Sequence, residues 1–269
     1  MNYQIYQWGN PQNTSLVFLH GLGSTGLAFG EVATYLTEYH VISFDLPGHG
    51  YSTALEEEKN YLPSNLIKMI EEIISTYLKN KTFYLIGHSF GADLAIHFGA
   101  RYPQQIKGVV LLDGGYMSGK DIGTTLEKEL KDVESFCENV RFPSWKEFFN
   151  SEKEELSRWS EELKAASKAQ VREQNGEIRL TLSIFTAQAM LKGMNLEPVD
   201  HVVSMVKCPI LLIHATIPAE LDTIRKNCIQ NLQMKIGHLN VESIVGAGHD
   251  IFRDEPEKVA TRLKVWCKS

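Results

Sequence analysis

The residues best suited to chemistry sit far apart in this chain. Ser89 lies in GHSFG (87–91), between two glycines, after the apolar run TFYLI and before ADLAIHFGARYP, which has helical periodicity. A serine hydroxyl becomes a useful nucleophile when a neighbouring base takes its proton. A G-x-S-x-G turn between strand and helix suits such a nucleophile, because the glycines permit close backbone approach and the helix N-terminus favours developing negative charge. His249, in VGAGHDIF (245–252), follows the last apolar strand-like run and is the candidate base. Two more glycine-bearing turns end strand-like runs, FLHGLGS (18–24) and FDLPGHGYS (44–52). In the first, the Leu22 amide is expected beside the Phe90 amide, a pair of donors for an oxyanion.

Other polar groups have plainer expectations. His88 should pack or hydrogen-bond within the serine turn, His20 and His49 should hold the neighbouring turns, and Asp45 should fix its own turn. No histidine pair has a metal-ligand spacing such as H-x-x-x-H, so neither a metal nor another cofactor is expected.

These residues need a scaffold that brings strand ends together. SLVFLH (15–20), HVISFD (40–45), TFYLIGH (82–88) and IKGVVLLD (106–113) read as strands, with CPILLIHA (208–215) and NVESIVGAGHD (240–250) resuming the pattern later. Between them, GLAFGEVATYLTEY (26–39) reads as a helix. PSNLIKMIEEIISTYLKN (63–80) places Leu66, Ile67, Ile70, Ile73, Ile74 and Leu78 on one helical face. EPEKVATRLKVWC (255–267) opens with a proline and acidic residues, as helix starts favour. Near-continuous apolar strands separated by helices predict an α/β fold with a mostly parallel sheet covered on both faces. The alternation breaks from about 116 to 200, where long charged runs including SEKEELSRWSEELKAASKAQV (151–171) predict a helical insertion after the fourth predicted strand. Within it, Ser144 and Glu147 form a capping-box pattern. The expected division is therefore a core of 1–115 and 201–269 and a cap of 116–200.

Of 269 residues 43% are hydrophobic, and Asp+Glu outnumber Lys+Arg by 33 to 27, a net charge of −6 with no basic block. That balance argues against nucleic acid or an anionic membrane surface as partner. No apolar run has spanning length, and the N-terminal stretch lacks the pattern of an export signal. Four widely spaced cysteines (137, 208, 228, 267) suggest reduced thiols. The expectation is a cytoplasmic protein acting on a small molecule; oligomeric state is left open.

HGLGS, DLPGHGYS, GHSFG and GAGHD, in that order, resemble the α/β-hydrolase fold family, in its cap-bearing serine esterase-like branch. The resemblance covers 15–113 and 208–269, with the insertion matching only as a variable cap. It implies a Ser89 nucleophile, a His249 base and an oxyanion hole from the Leu22 and Phe90 amides. A serine at that position argues against the dehalogenase and epoxide-hydrolase branches, which use a carboxylate there. The family's acid most often follows the strand here written PILLIHA, but this chain continues TIPAELDTIRK, with Ala215 for the usual glycine and Pro218 at the usual aspartate position. Asp113, at the end of IKGVVLLD, is the leading candidate, with Asp222 and Glu220 as alternates. The resemblance implies hydrolysis of a small, hydrophobic carboxylic ester; thioester, lactone and carbon–carbon bond hydrolysis use the same machinery. Because the acid turn is altered, a ligand-binding or signalling protein on a retired or slow hydrolase scaffold is the reading of a different class. Of the insertion's aromatics (Tyr116, Phe136, Phe142, Trp145, Phe148, Phe149, Trp159, Phe185), most are expected to form the cap's own core.

Overall fold

The computed structural model describes residues 2–79 and 81–268. The apolar runs form strands β1 (Ile5–Trp8), β2 (Ser15–Leu19), β3 (His40–Phe44), β4 (Phe83–His88) and β5 (Ile106–Leu112), separated by helices α1 (Gly30–Thr34), α2 (Pro63–Leu78) and α3 (Phe90–Arg101). Then come α4 (Leu126–Asn139), β6 (Arg141–Phe142), α5 (Trp145–Glu155), α6 (Glu161–Gln170), β7 (Val171–Gln174), β8 (Glu177–Leu180) and α7 (Ile184–Leu196). The chain closes with β9 (Ile210–Ala215), α8 (Asp222–Lys235), β10 (Leu239–Ile244), α9 (Ile251–Asp254) and α10 (Pro256–Cys267).

The main sheet has seven strands in the order β1-β3-β2-β4-β5-β9-β10. Only β1 is antiparallel, pairing Ile5 with Phe44 and Trp8 with Val41 at the edge. The alternation of side chains along each strand divides the core. Val17, Leu19, Leu85, Leu111 and Leu212 face one apolar cluster with α2 and α3, while Leu16, Phe18, Ile86, Val110 and Leu211 face another with α1 and α10. Both faces are therefore buried, which is why these strands are continuous apolar runs rather than alternating ones. Chain order reverses direction across the sheet between β2 and β4: the connection from β2 runs to one side and that from β4 to the other. In open α/β sheets the crevice beyond the strand ends at such a switch point is where ligands bind. GHSFG and FLHGLGS both stand there.

Several sequence expectations change. The edge strand β1 is not foreseen, because IYQW is short and only half-buried; the insertion therefore follows the fifth strand. The expected long helix over 26–39 shrinks to a 3-10 turn (Gly26–Phe29) and the five-residue α1. Gly26 is pressed so closely against the Phe44 backbone that a Cβ there would lie 2.8 Å from it, so the segment begins held against β3. The last residue of the helix expected over 63–80 lies outside the described residues. The insertion is not wholly helical, since β6, β8 and β7 form a three-stranded antiparallel sheet. Asn175 and Gly176, both with positive φ (52° and 79°), make the tight β7–β8 hairpin turn, a pairing suited to a type I′ turn. The run 151–171 breaks at Leu156–Ser160, where Ser160 caps α6 by accepting from the Leu163 amide at 3.1 Å. The Ser144 cap forms as expected, accepting from the Glu147 amide at 3.3 Å.

Candidate active site

Ser89 joins β4 to α3 with φ 51° and ψ −120°, a conformation that costs a non-glycine residue on the order of 1–3 kcal/mol. The neighbours hold it there. A Cβ on Gly87 would overlap the Gly91 carbonyl, and one on Gly91 would overlap the Leu19 carbonyl. The Ser89 amide donates to the Leu112 carbonyl at 3.2 Å, tying the turn to β5. The serine stays partly exposed at the start of α3.

Asp113 is the next residue after β5, also with positive φ (43°). Its backbone amide donates to the Ile213 carbonyl at 2.9 Å, so its position is fixed by the adjacent strand β9. Its Oδ2 is 2.8 Å from His249 Nδ1. Oδ1 accepts from the Ala215 amide at 2.9 Å and from the Tyr116 hydroxyl at 3.0 Å. Asp113 is buried, whereas the His249 side chain is 57% exposed. Burial opposes ionisation of Asp113, yet the bond to His249 and the donors on Oδ1 hold its carboxyl below the usual range. Burial likewise works against charge on His249, but the hydrogen bond and charge of Asp113 outweigh it and raise the imidazole above its ordinary value. The alternates lie elsewhere. Asp222 pairs with Arg225 at 3.2 Å, Glu220 sits exposed in the preceding 3-10 turn, and neither bonds to His249.

The surrounding turns are locked by the groups expected to lock them. Asp45 Oδ1 accepts from the Gly26 amide at 2.8 Å and Oδ2 from the Tyr51 amide at 2.9 Å. His20 Nε2 accepts from the Leu46 amide at 2.9 Å, and His49 Nε2 from the Gly23 amide at 3.1 Å. The His20–Leu22 turn lies against the serine turn: a Cβ on Gly21 would stand 3.1 Å from Ser89 Cβ. Among the described residues the Leu22 and Phe90 amides have no acceptor. His88 Nε2 donates to the His249 carbonyl at 3.0 Å, fixing the histidine loop. Burial pushes His88 down to about 4, so it is neutral at ordinary pH and donates from Nε2.

Two supports escape sequence reasoning. Tyr116 is read there as a cap aromatic, yet its hydroxyl holds Asp113; its place three residues after a strand-end aspartate is the available signal. Arg225 is buried and donates to the Pro218 and Ile217 carbonyls, each at 2.8 Å, clamping the altered turn after β9. Nothing in a lone arginine on a polar helix marks that role.

The insertion sits over this site. Phe136 and Leu182 cover Gly23, where a Cβ would be 3.5 Å and 4.0 Å from their side chains. Thr181 Oγ1 accepts from the Gly50 amide at 3.0 Å. A cavity of about 750 Å³ opens between the end of α4, the small sheet and residues 180–184. Trp145, Phe148, Phe149 and Phe142 pack on one another beneath the sheet. Among the described residues no cluster of histidine, cysteine, aspartate or glutamate is arranged to hold a metal ion, and no helix is long and apolar enough to cross a membrane.

Residues 14–256 match the family model for the alpha/beta hydrolase fold. A serine hydrolase-like protein of Danio rerio is 25% identical over 77% of this chain and 67% of its own length; other curated relatives are matched over less than half of theirs. Among solved structures, an E-2-(acetamidomethylene)succinate hydrolase superposes with a TM-score of 0.81 at 19% identity, covering 98% of this chain and 94% of that one. A thioesterase domain from the curacin biosynthetic pathway gives a TM-score of 0.78 at 21% identity, covering 97% and 94%. With the switch-point crevice, the strained serine turn and the Asp113–His249 pair, these likenesses assign the chain to the alpha/beta hydrolase fold family.

Proposed function

We propose that the protein is a serine hydrolase of small carboxylic esters or related thioesters and lactones, working through an acyl-serine intermediate. The observation that carries this reading is the 2.8 Å contact between His249 Nδ1 and Asp113 Oδ2, which fixes the imidazole tautomer and leaves Nε2 as the free base. His249 takes the Ser89 proton as the hydroxyl attacks the substrate carbonyl. The Leu22 and Phe90 amides receive the oxyanion, each such donor contributing about 2.7–4 kcal/mol to the transition state. His249 then protonates the leaving group, and water repeats the cycle to release the acid. Phe136 and Leu182 above Gly23 give the entrance an apolar wall, consistent with a hydrophobic acyl or alcohol group. A retired or merely ligand-binding scaffold has the altered turn after β9 in its favour, but an acid on β5 makes that turn dispensable for catalysis.

The test is labelling with a fluorophosphonate, read by intact mass and peptide mapping. Wild type should take one label, on Ser89, and Ser89→Ala none. Folded wild type that resists the reagent, or is labelled elsewhere, refutes the proposal.

A further inference from the structure

The small sheet of the insertion carries a row of arginines that the proposed chemistry does not use. Its register sets Arg141 opposite Arg179 and Arg179 opposite Arg172, so the three side chains lie across β6, β8 and β7 on one face. The other face is apolar: Val171, Ile178 and Leu180 close over Phe148. Like charges directly opposite on neighbouring strands destabilise a sheet. One carboxylate serves the row: Glu177 Oε2 receives Arg179 Nη2 at 2.8 Å and Arg141 Nε at 3.3 Å. Arg172 makes no ion pair among the described residues. This excess of positive charge occurs in a chain whose net charge is −6.

The row also has a ligand-sized space before it. All three arginines line the 750 Å³ cavity, and so does Leu182, whose side chain covers Gly23 beside Leu22. Guanidinium groups present paired N–H donors that match carboxylate and phosphate oxygens. We infer that the Arg141–Arg179–Arg172 row binds an anionic group, carboxylate or phosphate, carried by the substrate at the end remote from its reacting carbonyl. The assignment to the substrate rests on the hydrolase reading above; anion binding itself does not.

Calorimetry on the full chain at low salt, with glutarate and with inorganic phosphate as probes, tests the site without any turnover. Wild type should bind at least one of them saturably, and the stronger probe identifies the anion type. Arg172→Gln should weaken binding about tenfold, since a charge-assisted hydrogen bond is lost. Glu177→Gln should tighten it, because it removes the internal competitor. A sheet that is merely damaged would weaken binding in both variants. No binding by wild type, equal binding by wild type and Arg172→Gln, or weakening by Glu177→Gln overturns the site. The substrate link is read from p-nitrophenyl hexanoate against the mono-p-nitrophenyl ester of adipic acid, an uncharged and an anionic acyl chain of equal length. The anionic-to-neutral ratio of kcat/KM should fall about tenfold in Arg172→Gln; an unchanged ratio overturns the link. If neither ester is cleaved and Ser89 takes no fluorophosphonate, the hydrolase reading fails, while calorimetry still decides the anion site.

Discussion

Replacing Asp113 by asparagine separates the role of this carboxylate from its contribution to folding. Asparagine has nearly the same shape, and its carbonyl can keep both bonds made by Oδ1, from the Ala215 amide at 2.9 Å and the Tyr116 hydroxyl at 3.0 Å. Its amide nitrogen then takes the place of Oδ2, 2.8 Å from His249 Nδ1. Two N–H donors cannot share that contact, so His249 must move its proton to Nε2, the nitrogen needed to accept from Ser89. Loss of the correct tautomer in a Ser–His–Asp arrangement costs about 10⁴-fold in turnover, or about 5.4 kcal/mol of barrier. The fold loses much less, because a charge-assisted hydrogen bond becomes a neutral one while the desolvation penalty of a buried charge is relieved, a net change of about 1–2 kcal/mol. The assay is the fluorophosphonate labelling rate alongside kcat/KM for a p-nitrophenyl ester, with urea midpoints as the stability reference. Asp113→Asn should lose at least three orders of magnitude in both rates while remaining folded, and Asp222→Asn should stay within about twofold. Asp113→Asn retaining more than a tenth of wild-type rate, or a large loss in Asp222→Asn, refutes the acid assignment.

The same pair sets a pH dependence. In the proposed mechanism His249 must be neutral to act as base, and Asp113 holds its pKa above the ordinary 6.5, so activity should rise through an acid limb centred above that value. In Asp113→Asn burial and the Arg225 charge are opposed only by Asp250, so the residual limb should move downward; an unmoved limb in kcat/KM profiles would contradict this. His49 and His88 are pushed down to about 4 by burial, from 6.5. Between those values the unfolded chain binds protons that the folded chain does not, so stability should climb with pH across that window and Tm should drop steeply on acidification through it. Arg158, in the insertion, donates to both carboxylate oxygens of buried Glu31 and to the Arg253 carbonyl at 3.0 Å. Arg158→Gln leaves that carboxylate without its cation and should cost about 2–4 kcal/mol in urea unfolding; a change below about 0.5 kcal/mol would show that water replaces the pair.

The positions that converge on the site differ in how far the sequence discloses them. Ser89 is legible because its backbone conformation demands glycine at 87 and 91, where a Cβ would strike carbonyl oxygens, and such demands leave a local pattern. The turns at His20 and Asp45 are legible for the same reason. The sheet is legible because strands buried on both faces are continuous apolar runs. The short elements are less so: β1 is half-buried, and the strands of the insertion are four residues or fewer between helix-forming stretches. Asn175-Gly176 is a hairpin signal in its own right, but the strands it joins are four residues each, too short to set a periodicity of their own. The arginine row is illegible without pairing partners, since Arg141, Arg172 and Arg179 meet only through cross-strand register.

The acid shows why local pattern stops short of a full site. In a count of strands the turn after β9 is one strand from β10, which leads to His249, and Asp113 on β5 is two, so strand order alone favours the altered turn just beyond Ala215 over Asp113 just beyond Leu112. What decides between them is non-local. The Asp113 amide is held by Ile213, and its carboxylate is met by the Ala215 amide, so β9 supplies the support for the proposed acid on β5. Pro218 need not be acidic on this arrangement, and its carbonyl is instead taken up by Arg225. The substitution of the expected acidic turn and the presence of an aspartate at the end of the neighbouring strand are thus two halves of one feature. Restoring an aspartate at position 218 in the Asp113→Asn background tests that reading. If strand β9 can still carry the acid, activity returns in part. If the Arg225 clamp has committed the turn to its present course, Pro218→Asp stays inactive until Arg225 is also replaced.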